Sequence, residues 1–187
     1  MKVLWRRLDQ PGHEFVDLSR QGSDWLLSGV ALFKHETMPS RLEYRIVCDP
    51  AWRTRSATVS GSVGELRVAV TIRADSGSWT LNEQVTAAVA GCIDVDLNFS
   101  PSTNLLPIRR LNLQVGDRAS LRAAWLRFPS FALEPLEQTY ARVSDRIFRY
   151  ESAGGKFVAE IETNEAGLPM RYGDLWRAEA DAFHNRE

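Results

Sequence analysis

Glu65-Leu66-Arg67-Val68-Ala69-Val70-Thr71-Ile72-Arg73 sets Leu66, Val68, Val70 and Ile72 in alternation with Glu65, Arg67, Thr71 and Arg73. A period of two puts one set of side chains on each face of a strand, so this segment buries one face and wets the other. The pattern recurs along the chain. Leu42, Tyr44, Ile46 and Cys48 alternate with Arg41, Glu43 and Arg45, and Phe157, Ala159 and Ile161 with Glu160 and Glu162. Trp25 to Phe33 is apolar on both faces and reads as a central strand. Turn residues separate the runs: Gly61-Ser62-Val63-Gly64, Asp75-Ser76-Gly77-Ser78, Ala153-Gly154-Gly155-Lys156 and Asn164-Glu165-Ala166-Gly167. Strands at this spacing predict an all-β, mainly antiparallel domain, a meander that closes or half-closes into a β tube or half-barrel.

Two segments fit more than one element. Leu136, Tyr140, Val143 and Ile147 follow Pro135 at helical spacing. Yet residues 138–150 are rich in strand formers, and Ser144-Asp145 suits a hairpin turn. The two-strand reading is preferred. Pro107-Ile108-Arg109-Arg110-Leu111 reads as one helical turn after a loop containing Asn104. The expected organisation is a single domain over residues 1–180 with one or two short helical turns. Polar residues 181–187 follow as a flexible tail.

Composition narrows the function classes. The formal net charge is -1, without the basic excess of a nucleic-acid binder. No apolar run reaches the length of a transmembrane helix. The start, Met1-Lys2-Val3-Leu4-Trp5-Arg6-Arg7, lacks a signal-peptide pattern, so a cytoplasmic location is expected. Cys48 and Cys92, with no metal or redox spacing, read as buried reduced thiols. His13, His35 and His184 are isolated and read as surface residues. No metal or cofactor is expected.

The most distinctive stretch runs from Asp94 to Leu111. Asp94-Val95-Asp96 begins like a calcium loop, but Phe99 stands where that loop needs glycine, and Leu105 where it needs a bidentate glutamate. Asp94 and Asp96 share a strand face, which suits either paired acid–base carboxylates or an ion pair with a nearby arginine. Six tryptophans, Trp5, Trp25, Trp52, Trp79, Trp125 and Trp176, supply rings for a core or for a pocket that stacks on sugars or covers an acyl chain.

Asp94-Val95-Asp96-Leu97, Ser100-Pro101-Ser102-Thr103-Asn104 and Leu106-Pro107-Ile108-Arg109-Arg110-Leu111 together resemble the signature of the bacterial family named putative glycolipid-binding. Trp5, Gly12-His13-Glu14, Tyr44 to Trp52, Ala124-Trp125 with Phe128-Pro129, Gln138-Thr139-Tyr140, and Gly167-Leu168 to Tyr172 and Trp176 agree with it. The resemblance implies a mostly antiparallel β fold similar to periplasmic carriers of lipoproteins, and a glycolipid or other amphiphile as ligand. It implies no catalytic residue.

These readings converge on a binding module, monomeric or homodimeric, whose tube encloses an apolar cavity rimmed by residues 98–110. The candidate ligand-binding residues are Tyr44, Trp52, Asp94, Asp96, Thr103, Asn104, Arg109, Trp125 and Tyr140. The acyl part is expected among the aromatics and the head near Arg109, Asp96 and Asn104. Arg109 is expected to point inward and meet Asp96 or Asp94, with Arg110 more exposed, because a buried guanidinium needs an acid. Two rival readings remain: a hydrolase of sugar or acyl substrates using Asp94 and Asp96, and an interaction protein with no small ligand.

Overall fold

The period-two segments pair in sequence order. In the computed structural model, which describes residues 1–182, β1 (Lys2–Arg7), β2 (Gly12–Gln21), β3 (Asp24–His35), β4 (Met38–Cys48), β5 (Thr54–Val63), β6 (Leu66–Asp75), β7 (Ser78–Leu81) and β8 (Gln84–Val85) form one antiparallel meander. After β9 (Val95–Leu97) and the helix α1 (Leu105–Leu111), a second meander runs through β10 (Arg118–Arg127), β11 (Ala132–Arg142), β12 (Ile147–Ser152), β13 (Phe157–Thr163), β14 (Pro169–Tyr172) and β15 (Trp176–Ala182). The pairing of β1 with β15 fuses the two into one 15-stranded sheet, edged by β8 and β9. The short β9–β10 ladder is its one parallel pair among the described residues.

The sheet is a half-barrel, not a closed tube: β8 and β9 do not pair. The stretch between them is tied back to the first meander instead. Thr54 N–H donates to the Ile93 carbonyl (3.1 Å), Thr54 Oγ1 accepts from Val95 N–H (3.0 Å), and Trp79 Nε1 donates to the Cys92 carbonyl (2.9 Å). The hydrophobic effect acts on one face only. Leu42, Tyr44, Ile46 and Cys48 are buried while Arg41 and Arg45 are exposed, as the alternation requires. Cys48 and Cys92 are both buried and unbridged.

The expected apolar cavity is occupied. A 3-10 turn, Pro101–Asn104, and α1 sit in the concavity, and Phe99, Leu105, Leu106 and Leu97 pack there with at most 2% exposure. Pro101 opens the turn, where its missing N–H costs nothing, and Ser100 Oγ caps it by accepting from Ser102 N–H (3.1 Å).

One local expectation holds and two need adjusting. Residues 138–150 form the end of β11, a turn at 143–146 and the start of β12, so the strand reading of this segment holds over the helical one. Trp25 to Phe33 lies in β3, an interior strand, but its outer face is uncovered, with Leu32 half exposed. The last strand extends past residue 180, because Asp181 and Ala182 pair with Val3 and Lys2, and Asn164 Nδ2 donates to Asp181 Oδ2 (3.1 Å). The rest of the predicted tail, residues 183–187 with His184, lies outside the described residues.

Candidate ligand-binding site

Strand register gathers the second meander's inward residues on one face. Asp96 pairs with Trp125, Gln138 with Ser152, Tyr140 with Tyr150, Ser152 with Phe157, Ile161 with Tyr172, and Tyr172 with Trp176. Across β1, Trp176 pairs with Arg7 and Trp5 with Glu14. Between this face and the 3-10 turn lies a recess of about 280 Å³. Trp125, Tyr150, Phe157, Tyr172 and Trp176 form its walls, and Asp96, Asn98, Ser100 and Asn104 its polar part, with Arg7 at one side.

Each polar group is held in place. Asp96 Oδ2 accepts from Gln138 Nε2 (2.6 Å), and burial pushes the carboxyl up to about 6 against that bond. Asn104 is bonded at both ends: Nδ2 donates to the Pro101 carbonyl (3.0 Å) and Oδ1 accepts from Tyr140 Oη (2.8 Å). Thr103 Oγ1 accepts a long bond from Leu97 N–H (3.4 Å), so this residue fastens the turn to β9 and does not face the recess.

Beside Ser100 sits a fully buried acid. Glu14 Oε1 accepts from Tyr44 Oη and from Ser100 Oγ, both at 2.6 Å, and Ser102 Oγ bonds to both hydroxyls at 2.7 Å. Glu14 Oε2 has no hydrogen-bond partner among the described residues. Burial is the largest influence and pushes the carboxyl up to about 8, so it is protonated at neutral pH. Tyr44 can approach because Gly29 stands opposite it on β3: a Cβ there would lie 2.5 Å from the Tyr44 ring and hydroxyl.

The arginine expectation is reversed. Arg110, not Arg109, meets the acid: its Nε donates to Asp94 Oδ1 (2.9 Å) and its Nη2 to Asp94 Oδ2 (2.5 Å), with Asp94 1% exposed. On α1 Arg110 lies on the side turned to Asp94, with its side chain 15% exposed. Arg109 is exposed, with no acidic side chain at ion-pair distance among the described residues, and lies over the Trp52 ring (5.4 Å). Trp52 stacks on Trp25 (4.4 Å, 19°), and Arg20 covers Trp25 (3.7 Å).

Of the nine candidate residues, the structure brings Asp96, Asn104 and Trp125 to the recess and Tyr140 directly behind it. Tyr44 belongs to the buried Glu14 network, Thr103 to the turn and Asp94 to an ion pair. Trp52 and Arg109 form a stack elsewhere. Arg109 also lines a separate depression of about 370 Å³. Its other arginines are already engaged, Arg142 with the carbonyls of Leu113 and Asp145, and Arg146 with Glu165.

Sequence reasoning missed Arg7, Glu14, Gln138, Tyr150, Phe157, Tyr172 and Trp176 as site residues. Glu14 carried a signal: it shares the inward parity of Val16 and Leu18, a carboxyl on a buried face. The recess aromatics alternate like ordinary core residues, and only pairing across the five ladders from β10 to β15 brings them together.

Comparison with known proteins adds two findings. A family model described as putative glycolipid-binding matches residues 2–178. A crystal structure of a DUF1089 family protein from Pseudomonas aeruginosa, 29% identical, aligns over 88% of this chain and 91% of that chain with a TM-score of 0.76. No curated protein matches the chain.

Proposed function

The chain belongs to the family described as putative glycolipid-binding, and from that premise we propose that its inner-face recess binds the sugar head of an amphiphile. The observation that carries this reading is the pairing of aromatic walls with a fixed polar floor. Trp125, Tyr150, Tyr172 and Trp176 border a space that also contains Asp96 and Asn104. A sugar presents C–H faces that stack on rings and hydroxyls that donate to a carboxylate or an amide oxygen. At about 280 Å³ the recess falls just below the roughly 300–1,000 Å³ typical of ligand pockets, so it takes a head group and leaves the acyl chain outside.

The proposed role is binding without turnover. Asp94 is held by Arg110 while Asp96 answers to Gln138, so the two carboxyls do not work as a matched acid and base. No described helix is long and apolar enough to cross a membrane. The proposed setting is the cytoplasm, where the buried thiols of Cys48 and Cys92 stay reduced.

Hexyl β-glucoside, below its micelle concentration, tests the reading by tryptophan fluorescence. Saturable binding is expected, and Trp125→Ala should weaken it about tenfold, equal to the roughly 1.4 kcal/mol of one lost stacking contact. Absence of saturable binding, or equal affinity in the Trp125→Ala protein, contradicts it.

A further inference from the structure

The recess contains a carboxylate without a cation. Asp94, two residues before Asp96, is neutralised by Arg110. Asp96 accepts one hydrogen bond from the uncharged Gln138, and no arginine, lysine or histidine reaches ion-pair distance among the described residues. The guanidinium at the recess, Arg7, is already paired with Asp9 (2.7 Å) and leans on the Trp176 ring (5.4 Å). An acid kept half-buried without a counter-ion is costly, and a cationic ligand would offset that cost.

The aromatic wall has the matching geometry. Tyr150, Phe157 and Tyr172 all border the recess, and their planes are steeply inclined to one another: 85° between Tyr150 and Tyr172, 89° between Phe157 and Tyr172, and 65° between Tyr150 and Phe157. Their centroids are 5.8–6.1 Å apart. Three such rings make a corner, and one positive group seated in it could lie within the roughly 6 Å reach of cation–π attraction for each.

Resting on the reading of the recess given above, we propose that the head group it selects carries an ammonium, seated between the Tyr150–Phe157–Tyr172 corner and the Asp96 carboxylate. An anionic head is disfavoured, because Asp96 repels it and no unpaired cation is there to receive it. The ammonium can belong to an amino sugar or to a quaternary amine, and the shared chemistry is a positive nitrogen beside an alkyl chain. At pH 7 Asp96, which titrates near 6, is mostly ionised. Tyr150 and Tyr172 stay neutral, because burial raises both hydroxyls.

Three hexyl amphiphiles separate the possibilities at pH 7: hexyl 2-amino-2-deoxyglucoside, hexyltrimethylammonium chloride and hexyl glucoside. At least one cationic compound is expected to bind about tenfold more tightly than the neutral glucoside, as a cation–π contact plus a charge pair would give. Preference for the amino sugar alone identifies a sugar head; preference for hexyltrimethylammonium alone identifies a quaternary amine and overturns the sugar-head reading while the ammonium proposal stands. Asp96→Asn, checked for an unchanged thermal midpoint, should remove most of that preference. Raising salt in the wild-type titration should weaken the cationic compounds more than the glucoside. Should the glucoside bind as tightly as both cationic compounds, or the preference survive in the Asp96→Asn protein, the ammonium proposal falls while sugar-head binding stands. Should none of the three bind, both fall.

Discussion

Arg110→Ala is expected to lower the free energy of unfolding by about 3 kcal/mol at pH 7, the lower end of the range for breaking a buried ion pair. The cost comes from what is left behind. Asp94 is 1% exposed, and its two oxygens are served by Arg110. Burial already holds the Asp94 carboxyl above the usual range with Arg110 present, so without the guanidinium it rises further. The variant then escapes part of the penalty by taking up a proton, and its deficit relative to wild type should shrink as the pH falls from 7 to 5. Arg109→Ala, one residue away, removes an exposed side chain and should change stability by about 0.5 kcal/mol or less. Urea denaturation of the two variants in parallel checks the pair. Equal losses for both would contradict the assignment of Arg110 as Asp94's partner.

Glu14→Gln should flatten the pH dependence of stability between pH 5 and 8 by on the order of 4 kcal/mol. In the unfolded chain this carboxyl ionises near 4.5, whereas in the folded protein it keeps its proton up to about 8. Between those values the folded state binds more protons than the unfolded one, so stability falls as the pH rises and levels off above 8. Asp96, raised to about 6, adds a fall of the same sign at lower pH that the substitution leaves in place. Glutamine has nearly the same shape and cannot ionise, so the variant should lose little between pH 6 and 8. Denaturation midpoints at pH 5, 6, 7 and 8 give the slope. A variant whose midpoint falls as steeply as that of wild type would show that Glu14 is not the buried proton holder.

The local pattern made much of the architecture legible. Alternation at Leu42–Cys48 and Leu66–Ile72, and the turn residues between strands, lead directly to the meander, because strand parity and turn chemistry are short-range properties. Whether the meander closes is set by how far the sheet curls and by what fills it. The packing of Phe99, Leu105 and Leu106 inside the concavity depends on contacts far apart in sequence.

The same division runs through the site. Asp96, Asn104 and Trp125 stood out in a distinctive segment or as aromatics, and all three reach the recess. Tyr150, Phe157 and Tyr172 look like core residues until the ladders align them. The arginine assignment turned on helix phase. Adjacent residues on α1 differ by about 100°, so one arginine had to face in, but which one depends on how the helix docks against β9. Glu14 is the instructive omission: a carboxyl on the buried parity of a strand breaks the local rule, and such breaks cluster where a fold is shaped for something other than stability.

The ligand is expected in the recess between β9–β15 and the Pro101–Asn104 turn, and the tryptophan side chains report on it directly. In an NMR titration with hexyl glucoside, the indole N–H resonances of Trp125 and Trp176, which border the recess, are expected to shift with one common saturation curve. Those of Trp79, bonded to the Cys92 carbonyl (2.9 Å), and of Trp25, stacked on Trp52, should stay in place. Saturable shifts at Trp79 or Trp25 with Trp125 and Trp176 unmoved would place the ligand elsewhere and contradict binding in the recess.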